Sequence, residues 1–122
     1  MSQASFLADP LDELFDMVNL PRKDTGVAGV IYISTAQGQH GPRIKWFPER
    51  PSREAPCLTV TLEAEPRVIN HGLPDRVVAS AMPAVRSWAG ANLGALLRFW
   101  SEGLSWTRDE VDAFVDGLNK LP

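Results

Sequence analysis

Cys57-Leu58-Thr59-Val60-Thr61-Leu62-Glu63-Ala64 is the stretch whose reading decides the fold. Apolar and polar side chains alternate along it with the period of two that a half-buried strand requires. Leu58, Val60, Leu62 and Ala64 are assigned to the core face, and Cys57, Thr59, Thr61 and Glu63 to the opposite face. Upstream, the run from Pro48 to Pro56 holds three prolines in nine positions, which excludes both a helix and an inner strand. Further upstream, Val27 to Thr35 is rich in β-branched residues around Tyr32. Gln37 to Gly41 is a turn, and Arg43 to Phe47 is the returning strand of a hairpin. Downstream of the deciding stretch, Glu65-Pro66 turns the chain and Arg67 to Asn70 returns it. The sum is a four-strand antiparallel meander.

Helices flank this meander. Asp9 can cap a first helix over Pro10–Val18, with Pro10 in its first turn and Leu11, Leu14, Phe15 and Val18 as its apolar stripe, ended by Pro21. After the strands, Val78, Met82, Val85, Ala89, Leu93, Leu96 and Trp100 keep one helical phase across Pro83. Two segments are expected there, about 75–90 and 92–101, with Gly90 and Asn92 as the weak point. Thr107-Arg108-Asp109-Glu110 is a capping box, and Trp106 and Val111 are placed to form a hydrophobic staple. Val111, Phe114, Val115 and Leu118 are its buried face. The predicted architecture is therefore α+β: an N-terminal helix, the four-strand meander, then two to three C-terminal helices packed on one face. The 122 residues read as a single domain, 1–122.

Composition removes several classes of function. A single cysteine, Cys57, excludes an internal disulfide and favours a reducing compartment. No apolar run approaches the ~18–20 residues that cross a bilayer, and Met1 to Asp9 lacks the pattern of a signal peptide, so a cytoplasmic protein without a membrane partner is expected. No Walker loop, dinucleotide fingerprint, His-Glu-x-x-His or Ser-His-Asp arrangement is present, and no cofactor or metal is expected. The net charge of −3 is unevenly spread: residues 22–53 hold six bases against two acids, whereas residues 1–21 hold four acids and no base.

Three groups of residues are candidates for chemistry. Cys57 is a potential nucleophile, with Arg50 or Arg53 to stabilise a thiolate and His71 as the base. With the turn at Glu65-Pro66, however, His71 falls opposite Val60, about 10 Å along the strand from Cys57, which is too far for a dyad. The basic hairpin and loop, Arg43, Lys45, Trp46, Arg50 and Arg53 with Phe47, mix positive charge and aromatic rings in the way that holds phosphates and stacks bases; the plainer reading is a solvated edge guarded by charge. Trp88, Trp100 and Trp106 fall at helical spacing and read as core or as an interface wall. Asp109, Glu110, Asp112 and Asp116 form an acidic outer face on the last helix. His40 sits in a turn and faces water.

The order Ala55-Pro56-Cys57-Leu58-Thr59, Gly72-Leu73-Pro74, Trp88, Asn92 and Leu96-Leu97-Arg98-Phe99-Trp100 resembles a small bacterial family of unknown function. Its members carry a Pro-Pro-His-Phe-His signature on the corresponding strand. The resemblance covers roughly residues 43–101 and implies a component of a toxin–antitoxin-like pair. Pro56 matches the second proline of the signature, whereas Cys57 and Thr59 stand where the family has its two histidines.

These readings lead to a small protein-binding or regulatory module, with a cognate protein partner or a homo-oligomer. The alternatives are a small enzyme centred on Cys57, or a nucleic-acid-contacting protein using the basic 43–53 segment.

Overall fold

The computed structural model describes residues 17–36, 40–51 and 55–122. Its centre is a five-stranded antiparallel sheet in sequential order: β1 (Met17–Leu20), β2 (Val30–Ser34), β3 (Arg43–Phe47), β4 (Cys57–Thr61) and β5 (Val68–His71). A one-turn helix, α1 (Arg22–Thr25), joins the first two strands. Helices α2 (Asp75–Ala91), α3 (Leu93–Glu102) and α4 (Arg108–Asp116) follow the sheet, with a 3-10 turn at Gly103–Ser105. None of the helices is long and apolar enough to cross a membrane among the described residues.

The α+β architecture stands, but the N-terminal part of the prediction is corrected. Met17–Leu20 is a strand, paired with β2 from Met17↔Ser34 to Leu20↔Ile31, so the sheet has five strands rather than four. Val18, expected to end a helix, packs on the core from this strand beside the buried Leu20. The physical reason is that β2 has two edges: β1 supplies hydrogen-bond partners for the one that β3 leaves open. The rest of the expected first helix, residues 10–16, lies outside the described residues.

One face of the sheet meets the helices. Ile31, Ile33, Ile44, Trp46, Leu58 and Val60 interlock there with Val85, Trp88, Ala89, Leu96 and Phe99 in a single buried cluster. Helix α2 runs through Pro83 as a continuous element, and the expected break falls at Asn92. The capping box is present: Thr107 Oγ1 accepts from the Glu110 amide, and the Glu110 carboxylate accepts from the Thr107 amide. Phe99, Trp106 and Phe114 form an aromatic group beside it, with the Arg98 guanidinium 5.0 Å from the centre of the Trp106 ring.

The C-terminal tail is strapped across the molecule. Buried Asn92 donates Nδ2 to the carbonyls of Trp88 and Asn119, and its Oδ1 accepts from the Asn119 amide. The Leu121 amide then donates to the Thr25 carbonyl at 2.8 Å. This brings the Leu121 backbone against Gly26, which has φ of 79° and where a Cβ would lie 2.2 Å from the Leu121 carbonyl oxygen. Both the positive φ and the lack of space require glycine. Gly26→Ala is therefore expected to lower stability by about 1–3 kcal/mol, measured by urea unfolding, with the tail amides losing hydrogen-exchange protection first.

Candidate functional site

The sheet face away from the helical core carries the side chains with chemistry. Alternation along each strand places Tyr32 of β2, Arg43 and Lys45 of β3, Cys57, Thr59 and Thr61 of β4, and Ile69 and His71 of β5 on this face. Register then decides which of them meet. Lys45 lies across from Tyr32 on one side and from Thr59 on the other, and Cys57 lies across from His71.

This last pairing corrects the expected register by three residues. The β4–β5 connection is not a tight turn at Glu65-Pro66 but a wider loop that starts where Leu62 leaves the strand. Leu62 stays buried and its amide donates to the Pro42 carbonyl, whereas Ala64, assigned above to the core, is exposed. The loop is closed by Thr61: its amide donates to the Arg67 carbonyl at 3.0 Å, and its Oγ1 accepts from the Arg67 amide at 2.7 Å. Glu63 accepts from the Thr61 hydroxyl and from Arg67 Nε, which holds the loop shut. These hydrogen bonds, with the Thr61 bond foremost, hold the Glu63 carboxyl below the usual carboxylate range.

Directly opposed strand residues bring Cys57 and His71 together, yet they do not form a dyad. The Cys57 side chain is buried in a small cluster with Met17, Tyr32 and Phe47, where the Tyr32 and Phe47 rings meet edge to face at 5.4 Å. Burial pushes the thiol pKa up, outweighing the opposing pull of the Lys45 charge. The His71 ring turns instead to Thr59, with Nε2 2.9 Å from Oγ1. Partial desolvation of the otherwise exposed ring, and secondarily the Lys45 charge, hold the His71 pKa below its ordinary value, so the ring is neutral at neutral pH.

A cleft of about 370 Å³ opens beside this pair. Its lining includes His40, Arg43, Lys45, Thr59, Glu63 and His71. Lys45 is only 6% exposed, and its pKa is lowered mainly by burial, with a smaller contribution from the Arg43 charge. Arg43 donates to the Gly41 carbonyl at 3.3 Å, and burial lowers its pKa as well. Two cations of depressed basicity thus stand on this lining beside hydroxyl and imidazole groups. Among the described lining residues the one carboxylate is that of Glu63, which is engaged by its own loop.

The basic segment singled out from the sequence is thereby divided. Arg43 and Lys45 enter the cleft. Trp46 points to the opposite, helical face, where its ring is buried and its indole N–H donates to the Ala28 carbonyl at 2.8 Å. Arg50 is exposed, close enough to Tyr32 for its charge to act on the phenol, but it does not line the cleft. Arg53 lies outside the described residues. Thr59 was not among the residues expected to do chemistry; the signal for it was its place two residues from Cys57 on the same strand face.

The fold and site define a small α+β protein with a cationic, hydroxyl-lined cleft on a meander sheet. No family model, curated protein or solved structure matches the chain.

Two outcomes follow for the titratable groups. In the folded protein at pH 7.5, Cys57 is expected to react with iodoacetamide at least about tenfold more slowly than in urea, as a buried, protonated thiol does; equal rates would contradict its burial. For His71, the unfolded state takes up a proton at higher pH than the folded state. Its contribution to stability is therefore lost as pH falls through about 6.5 and below. His71→Gln should flatten that part of the stability–pH profile, read by thermal melts from pH 8 to pH 5.

Proposed function

We propose that this protein is a small cytoplasmic recognition module that takes an anionic group of a protein partner into the cleft around Lys45. The observation that carries this reading is the nearly complete burial of Lys45 next to Arg43, inside a cleft that also presents Thr59 and His71. A charge kept in such a place gains more from an anion than one in water, because screening is weaker there. The volume suits a phosphate or a carboxylate side chain rather than an extended strand of nucleic acid. The two aromatic rings of the basic segment, Trp46 and Phe47, are both enclosed, which leaves neither for base stacking. The same reading accommodates a regulatory role within a toxin–antitoxin-like pair, the anionic group belonging to the cognate partner.

Titration of the 15N-labelled protein with inorganic phosphate tests the reading. Saturable amide shifts are expected in β3, β4 and β5 around Lys45, Thr59 and His71, weakening as sodium chloride is raised. Lys45→Met should weaken binding by about tenfold, the loss of one charge-assisted contact. Shifts that do not saturate, or that are the same in Lys45→Met, would refute the cleft as the recognition site. Stronger binding to a single-stranded oligonucleotide than to an acidic peptide would replace the protein partner with nucleic acid.

A further inference from the structure

We propose that Thr59 is a nucleophile served by His71 as its base, and that the cleft accepts an acyl group from an acyl phosphate onto the Thr59 hydroxyl. The inference rests on the reading of the cleft as an anion site and adds a reaction to it.

A threonine hydroxyl is a weak nucleophile until a base lies within hydrogen-bond reach of its proton. Here Thr59 Oγ1 and His71 Nε2 are 2.9 Å apart. With the ring proton on Nδ1, Thr59 donates to Nε2, the arrangement required for the imidazole to take the proton as the oxygen attacks. The ring is neutral at neutral pH, so the accepting nitrogen is available. Thr59 sits in the middle of β4 and is 6% exposed, so its hydroxyl is held by the sheet rather than by a loop. His71 lies at the end of edge strand β5 and is exposed, which gives the imidazole a route to pass a proton on.

Lys45 is the register partner of Thr59, which brings their Cβ atoms to about 4.5–5.5 Å. Arg43 follows two residues along the same strand face, and both line the cleft. Positive charge therefore stands beside the attacking oxygen, where a departing phosphate would be. An acyl phosphate presents an electrophilic carbonyl carbon joined to that phosphate. In the step, the bond from Thr59 Oγ1 to the carbonyl carbon forms and the carbon–oxygen bond to phosphate breaks. The hydroxyl proton moves to His71 Nε2 and then to the released phosphate. The products are an acyl ester on Thr59 and inorganic phosphate, with no oxidant or reductant involved. Cys57, intrinsically the better nucleophile, packs in the apolar cluster with Met17, Tyr32 and Phe47 and does not line the cleft, whereas Thr59 does.

The test exposes the full chain to acetyl phosphate at pH 7.5, maps acetylated positions by peptide mass spectrometry and follows phosphate binding in parallel by NMR. Acetylation of Thr59 ahead of the lysines is expected. It should be lost in Thr59→Val, kept in Thr59→Ser and slowed by about 100-fold in His71→Asn, the contribution of a general base. Thermal melts of each variant separate a lost reaction from a lost fold, and Thr59→Ser keeps the test decisive if Thr59→Val does not fold. Phosphate binding without acetylation of Thr59 would overturn this inference and leave the recognition function standing. Neither binding nor acetylation would overturn both, and a phosphoryl group on Thr59 in place of an acetyl group would overturn the assignment to acyl transfer.

Discussion

The hydrogen bonds between Thr61 and Arg67 set how β4 lies against β5, and the cleft follows from that setting. Side chains alternate on a strand, so an odd shift of register changes which residues face each other and which face of the sheet they share. With Thr61 paired to Arg67, Cys57 is brought opposite His71, and Thr59 comes within reach of the ring. A tighter turn would have carried His71 away from both. Glu63 reinforces the closure from the loop itself, and Leu62, leaving the strand but staying in the core, fixes where the loop begins.

Across this sheet, residues close together in sequence acquire different characters because their surroundings differ. Cys57 and Thr59 are two residues apart on one strand. The first is enclosed by Met17, Tyr32 and Phe47 and its thiol is kept protonated; the second lines the cleft and is bonded to an imidazole. Lys45 and Trp46 are adjacent, yet one enters the cleft and the other packs among the helices with its indole N–H on Ala28. Desolvation is the common physical cause: it raises the pKa of the thiol and lowers those of the lysine and the imidazole, so that each is biased toward its neutral form.

The helical layer and the C-terminal tail hold this sheet from the other side. Asn92, at the junction of α2 and α3, satisfies a backbone carbonyl of its own helix and ties down Asn119, after which Leu121 reaches the α1 turn. A buried amide with all of these partners contributes because leaving any one of them unpaired would cost more than the bond itself yields. The tail thus links the end of the chain to the connection between β1 and β2, far from the cleft in sequence.

Local sequence determined the elements in which neighbours along the chain supply the whole signal. The Thr107–Glu110 capping box, the phase of Val78, Val85, Ala89 and Leu96, and the alternation of Leu58, Thr59, Val60 and Thr61 are of this kind, and each is found in the structure. So was the basic character of Arg43 and Lys45. Tertiary structure decided the rest. Met17–Leu20 is short enough that its state is set by pairing with β2, not by its own periodicity. The β4–β5 register depends on bonds across a loop, which no single strand encodes. Thr59 became a candidate, and Cys57 was enclosed, through contacts with residues distant in sequence. A site of this kind is a property of register and burial, and both exist only once the strands have been laid side by side.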